Sequence, residues 1–353
     1  MRQTAEITDL TVCRGLFAGW VFVYHVDLYL QDSAALGPAA DLVRHGYLGV
    51  DGFFLLSGLI LGRVYMPPPV AFGAMLVFWG RRLARLYPVH LATLALLGLI
   101  VLAGRDAGVA AHEPARFSGL SLVQNLALVQ GWGVAAVGQW NYPSWSISTE
   151  WAGYLAFPVL AWLVAYFEAI VALQIVIVAF TALGLIAYLH GYNLNLAFSA
   201  GLLRFFPEFI IGLATARIVP KIADNAPLRL FLVVGAALIL VCAALGADFG
   251  AVLGLWLVLY ALTMQADAER PPLLRGTGWL RGFGRLSYSF YMSFAVVELL
   301  LVRLLGTPAA HPAAFALGMA AGTLALALAL HFFVERPARR LIDGWLDARH
   351  AQG

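Results

Sequence analysis

A chain of 353 residues with 62% hydrophobic and 12% charged residues and a mean hydropathy of +0.84 is not an ordinary soluble enzyme, whose charged content runs near roughly one quarter. The net charge of +3 comes from basic residues that flank apolar runs; with no soluble basic domain, nucleic acid is excluded as a partner. Cys13 and Cys242, each at or inside an apolar run, indicate neither a disulfide framework nor a metal site.

The polar start MRQTAEITDL leads into a long apolar run without a short apolar core and small-residue cleavage site, so no cleavable signal peptide is expected. Runs long enough to cross the hydrocarbon core lie near 11–30, 47–66, 86–104, 144–166, 168–189, 200–218, 228–246, 249–266, 285–304 and 312–333. The expected fold is therefore an all-α polytopic membrane protein, a bundle of about ten transmembrane helices in one domain, 1–353. With both termini cytoplasmic, the inner side holds 17 of the 22 Lys and Arg residues, leaving Arg44, Arg105, Arg116, Arg204 and Arg303 outside; that bias selects this orientation. Residues 67–88 read as a proline break followed by a short interfacial helix carrying the arginines. Residues 105–143 form the longest outer connection, whose SLVQNLALVQGW portion is too polar to span.

The first run, TVCRGLFAGWVFVYHVDLYL, carries Arg14 and His25. Eleven helical steps return the two side chains to within roughly 20° of one face and separate them by about 16 Å along the axis. Ionisable groups inside a span are costly and normally face a bundle interior or a wet cavity, so this pair is the leading functional candidate. The alternative is an arginine marking a helix end and a histidine bonded to nearby backbone. In the second run Asp51 lies near the outer end, where it either faces His25 or caps the helix, while Ser57 sits mid-membrane among Gly52 and Gly58.

Arg81, Arg82 and Arg85 fall on adjoining helical positions and form, with Arg14, a cationic set suited to phosphate; inner-side charge bias is the competing explanation. At NYPSWSISTEW, Glu150 opens an apolar run flanked by Tyr142, Trp145, Trp151 and Tyr154. A carboxylate there either benefits from the helix dipole or orients His25 as its acid–base partner. Arg204 and Glu208 read as a buried pair; Ser287, Tyr288, Ser289 and Tyr291 turn into the bundle, and Glu335 with its following arginines anchors the last span.

The ordered set Arg14-x10-His25, GVDGFFLLSGLIL, RRLARLYP, YPSWSISTEW, LSYSFYMSF and VERPARR, covering residues 14–340, resembles the acyltransferase-3 family of integral-membrane acyltransferases. The resemblance implies transfer of an acyl group other than aminoacyl, commonly acetyl, from cytoplasmic acetyl-CoA or another acyl-CoA as co-substrate to a hydroxyl of a carbohydrate or lipid-linked glycan. It implies that His25 and Arg14 are the essential pair, with the arginine cluster serving donor binding; the reading of the residues adds Glu150 and Asp51 as carboxylates that orient His25. The donor would sit on Arg14, Arg81, Arg82 and Arg85, with Ser57 and Tyr288 added to its binding set, and no metal taking part. Expected surroundings are the lipids of a bacterial inner (plasma) membrane. Members often have histidine where this chain has Phe294, which puts any relay through that position in doubt, and the chain ends soon after the tenth run, so an appended soluble domain is not expected. Two alternatives are acylation of a cytoplasmic small molecule and a glycan or lipid transporter without acyl transfer; no inverted repeat supports the latter.

Overall fold

A computed structural model describes residues 6–30, 39–108, 114–135, 137–166, 168–222, 228–274, 277–306 and 308–350. Arg2 and Arg275 of the charge count, and residues 109–113 and 136 of the long connection, lie outside them. Among the described residues all regular structure is helical, with no strand. The α-helices are α1 (Thr8–Leu30), α2 (Ala40–Arg44), α3 (Gly49–Tyr65), α4 (Phe72–Asp106), α5 (Gly119–Leu126), α6 (Trp145–Ala165), α7 (Ala169–Leu189), α8 (Gly201–Ile222), α9 (Leu228–Ala244), α10 (Asp248–Asp267), α11 (Gly278–Leu305), α12 (Pro312–Leu330) and α13 (Arg336–His350).

Each of the ten apolar runs coincides with a helix. Among the described residues seven helical stretches are long and apolar enough to cross a membrane: Gly46–Tyr65, Phe72–Asp106, Tyr142–Ala165, Ala169–Leu189, Asp248–Asp267, Gly278–Leu305 and Pro312–Ala348. Helix α9 is apolar but shorter. Helices α1 and α8 are long enough but carry ionic side chains, including Arg14 and Asp27 on the first and Arg204 and Glu208 on the second.

One expectation changes in detail. Residues 67–71 do break the helix, but no separate interfacial helix follows: α4 runs unbroken through Pro88 for 35 residues. At 1.5 Å per residue it is about 52 Å long, against a hydrocarbon core of about 30 Å. Its first turns, which hold Arg81, Arg82 and Arg85, therefore extend beyond the core as part of the same rod. Likewise, the connection 105–143 is not plain loop but contains α5, whose N-cap Ser118 accepts a hydrogen bond from the Ser121 amide.

The chain forms two compact units. The first comprises Met1–Pro68, Ala156–Leu196 and Leu203–Ser287; the second comprises Pro69–Leu155, Ala197–Leu202 and Tyr288–Gly353. In the first unit close helix contacts are made by glycine. A Cβ on Gly58 would stand 2.0 Å from the Phe209 carbonyl oxygen, and one on Gly212 would stand 2.0 Å from that of Leu55, so the backbones of α3 and α8 touch and run in the same direction. The glycines before and within α3 do the same against α1, where a Cβ on Gly49 would lie 2.7 Å from the Phe17 carbonyl oxygen. The core of the second unit is built by Leu94, Leu97, Val101, Phe117, Trp140 and Val296.

Candidate functional site

In the first unit, α1 displays both Arg14 and His25 as half-buried side chains. His25 Nδ1 lies 2.8 Å from the Val21 carbonyl oxygen. A carbonyl can only accept, so Nδ1 carries the hydrogen and the basic lone pair of the neutral ring falls on Nε2. The backbone-bonded histidine of the alternative reading is thus present, and this bond is also what selects the tautomer a general base needs. The Tyr24 ring stands 5.0 Å from the imidazole and 5.5 Å from the Tyr47 ring. Asn195 donates to the Tyr24 hydroxyl at 3.0 Å. Tyr47 donates to Asp248 Oδ2 at 2.7 Å, which also accepts from the Leu194 amide at 2.6 Å.

Asp51 belongs to the same unit but is engaged elsewhere than the sequence suggested. Arg204 Nε donates to its Oδ1 at 2.9 Å and the Nη2 group of Arg204 to its Oδ2, while Nη2 also reaches the Tyr47 carbonyl at 2.9 Å. Both side chains are fully buried. The ion-pair partner of Arg204 is therefore Asp51, two turns before the Gly58–Gly212 crossing, rather than Glu208 one turn along α8; Glu208 lies buried against this pair. The glycine crossing explains the match: Asp51 and Arg204 lie seven and eight residues ahead of it on parallel helices, hence at one level. Ser57 is half-buried on α3, six residues past Asp51.

In the second unit the structure brings together Arg82, Arg85, Glu150 and Tyr288. Arg85 lies within electrostatic reach of Tyr154, Glu150, Glu335 and Tyr288. The Arg82 guanidinium stands 5.8 Å from the Tyr154 ring centre and 5.9 Å from that of Phe78, an arrangement that supports a cation where water is scarce. Tyr154 donates to Glu150, and Tyr288 to the Leu86 carbonyl. Arg81 is drawn outward, into an ion pair with Asp347 of α13.

Sequence reasoning left His331 out of this cluster and did not join Glu335 and Ser289 to it. Glu335 Oε2 accepts from Ser289 Oγ at 2.6 Å and from His331 Nδ1 at 2.8 Å. Residues 331–335 form a π-helical turn, a deviation that frequently marks functional positions. The signal was the i,i+4 spacing of His331 and Glu335 in HFFVE, which had been given to anchoring. Phe294 is buried at the edges of the Tyr142 and Tyr291 rings, 6.1 and 5.5 Å away. Further along the same unit, Asn141 donates to Thr93 Oγ1 at 3.0 Å and to the Met292 carbonyl at 3.1 Å, and Gln130 donates to Ser144 Oγ at 2.8 Å. The long connection is thus tied down by buried polar groups.

The units therefore differ in what they hold. Arg14, His25, Asp51 and Ser57 belong to the first, and Arg81, Arg82, Arg85, Glu150 and Tyr288 to the second.

Acyltransferase MdmB of Streptomyces mycarofaciens is 31% identical over 163 residues, covering 44% of this chain and 39% of that protein; the match thus spans well under half the relative's length. No solved structure matches the chain. A family model described as an acyltransferase domain matches residues 7–332, across both units. With that match running from before α1 to the end of α12, the chain belongs to the acyltransferase-3 family.

Proposed function

We propose that the protein moves an acetyl group, or a close acyl homologue, from cytoplasmic acyl-CoA to a hydroxyl of a carbohydrate or lipid-linked glycan on the far side of a bacterial inner membrane. The observation that carries this reading is His25 on α1, with Nδ1–H given to the Val21 carbonyl and Nε2 left as the basic atom. Nε2 takes the proton of the acceptor hydroxyl while that oxygen attacks the thioester carbonyl; the carbon–sulfur bond breaks, and the thiolate leaves and recovers the proton from the imidazolium. A two-step route, in which Nε2 is itself acylated and then relieved by the alcohol, uses the same atom.

In the second unit Arg82 and Arg85, with Arg81, bind the donor's phosphates through their planar forks; in the first unit Arg14 is a further candidate for donor binding. Glu150 and Tyr154 hold Arg85, and Tyr288 lines the same cluster; Ser57 belongs to the donor's path. Asp51 serves the site by fixing α3 to α8 through Arg204. Basic-residue bias supports cytoplasmic termini, with Arg81, Arg82 and Arg85 on the cytoplasmic side where acyl-CoA is found. The connection 105–143 selects the acceptor.

The test is thiol release from acetyl-CoA, and transfer of labelled acetyl to membrane glycans, by membranes containing wild-type protein or His25→Ala at equal abundance. Loss by about a hundredfold to ten-thousandfold is expected for a general base. Undiminished transfer in the variant would remove His25 from the mechanism. Label appearing only on cytoplasmic small molecules would replace the glycan acceptor.

A further inference from the structure

We propose that the junction of α12 and α13 is a binding site for one anionic phospholipid, its phosphate held by Arg336 and Arg340 and an acyl chain laid on Phe332 and Leu341. These residues, with Pro337, line an open cleft of about 430 Å³ in the second unit.

The argument begins with length. The apolar helical stretch Pro312–Ala348 has 37 residues and is about 55 Å long, whereas the hydrocarbon core takes about 30 Å. Some 25 Å of it, roughly the segment after His331, must therefore lie at or beyond the membrane surface. The sequence changes character at that point: α12 is almost wholly apolar, and α13 reads RPARRLIDGWLDARH. Leu346 of α13 is buried, and Gly80 of α4 lies so close that a Cβ there would sit 3.2 Å from it. Together with the Arg81–Asp347 ion pair, that contact docks α13 along α4.

Beside this contact the junction presents an amphipathic, exposed surface. Phe332 is 51% and Leu341 74% exposed, which a water-facing surface does not favour but a headgroup–acyl boundary does. Arg336 and Arg340, one turn apart, are both exposed. Among the described residues neither is paired with a carboxylate, whereas Arg339 between them is held by Asp343 at 3.6 Å. The Arg336 guanidinium stands 5.2 Å from the Phe332 ring centre, so the cation is already poised over the apolar floor. Two guanidinium forks of the same sign beside an apolar groove, at the depth where lipid phosphates lie, match an anionic headgroup with its chain attached. A free nucleotide phosphate has no use for the Phe332–Leu341 floor.

The experiment uses the full chain in dodecyl maltoside, with dioleoyl phosphatidylglycerol and dioleoyl phosphatidylcholine as probes, and counts retained lipid by native mass spectrometry across a concentration series. One phosphatidylglycerol should be retained in preference to phosphatidylcholine. The double variant Arg336→Gln/Arg340→Gln should weaken its retention by about thirtyfold, the effect of two basic side chains beside an anionic surface. Arg340→Gln alone should weaken it about fivefold, and serves if the double variant is produced poorly. Arg339→Gln should leave retention unchanged. Equal retention of the two lipids, or equal retention by wild type and double variant, would overturn the proposal. So would displacement of the lipid by acetyl-CoA, which would make the cleft part of the donor site.

Discussion

The first unit gathers its deepest charges around one ion pair, with Glu208 buried against it, while the second spreads them over a network. Arg204 and Asp51 are both fully buried, joined by two hydrogen bonds and fixed by a backbone carbonyl. Around Arg85, by contrast, Glu150, Glu335, Tyr154 and Tyr288 share the field, Arg82 rests against aromatic faces, and Glu335 divides itself between Ser289 and His331. A closed buried pair has its best partner already and is costly to open. A shared network can exchange one partner for an incoming anion at little net cost. On the proposed function, the difference separates Arg204, which belongs to architecture, from Arg82 and Arg85, which belong to donor binding.

The largest effect that could break this comparison is at the closed pair. Arg204→Leu leaves Asp51 buried without its cation, and should destabilise the protein by about 3–5 kcal/mol, read as a drop in the thermal unfolding midpoint in detergent and in yield. Combining it with Asp51→Leu removes both charges and should restore most of the loss. Failure of the double variant to recover would show that the pair does more than hold α3 to α8.

Next in size is the network. If the proposed donor site is right, Arg82→Ala and Arg85→Ala each remove a charge-assisted contact to donor phosphate, with an expected rise of about tenfold to a hundredfold in KM for acetyl-CoA and little change in the unfolding midpoint. An unchanged KM with a lowered midpoint would reverse the assignment and make the cluster architectural. Glu335→Gln sharpens the same point through its sign. Neutralising a carboxylate near Arg85 leaves more positive potential for the donor, so KM should fall, by about threefold. A rise would mean that Glu335 positions the arginine rather than competing for it.

Much of this arrangement was legible in the chain. Long apolar runs specify helices directly, because a backbone in hydrocarbon has to satisfy its own hydrogen bonds, and all ten runs are helical. The cluster of Arg82, Arg85, Glu150 and Tyr288 came from motifs that were each singled out. Pairings across the sequence were harder to read. Asp51 and Arg204 are 153 residues apart, and their match depends on Gly58 and Gly212 meeting backbone to backbone; glycines mark a close approach without naming the helix approached. The continuity of α4 through Pro88, which joins the expected interfacial helix to the span, was also hard to read. Proline removes one hydrogen bond and crowds the preceding turn, a cost of about 3 kcal/mol, which tertiary packing of Leu86, Val89 and His90, all buried, outweighs. His331 was passed over because its partner became visible only with the π-turn that brings Glu335 and Ser289 to one point.

The smallest effect concerns the entrance to α1. Glu6 accepts from Arg281 at 3.1 Å and from Arg285 at 3.2 and 2.5 Å, tethering the start of the His25 helix to α11. The Arg285 hydrogen bond, more than any other influence, holds the Glu6 carboxyl down at about 2. Because the folded value lies below the ordinary carboxylate value of 4.5, the tether favours the folded state fully above that ordinary value and is lost as pH falls toward 2. The side chains are a third or more exposed, so solvent screens the gain and the effect is small. Unfolding midpoints measured from pH 6 down to 3 should show wild type above Glu6→Gln at the upper end, with the gap narrowing as acid is added and shrinking in high salt. A gap that widened with acid would mean that the glutamine variant loses something other than this ion pair. A gap independent of both pH and salt would reduce the tether to neutral hydrogen bonding, leaving the first unit's ionic character to the buried Arg204–Asp51 pair.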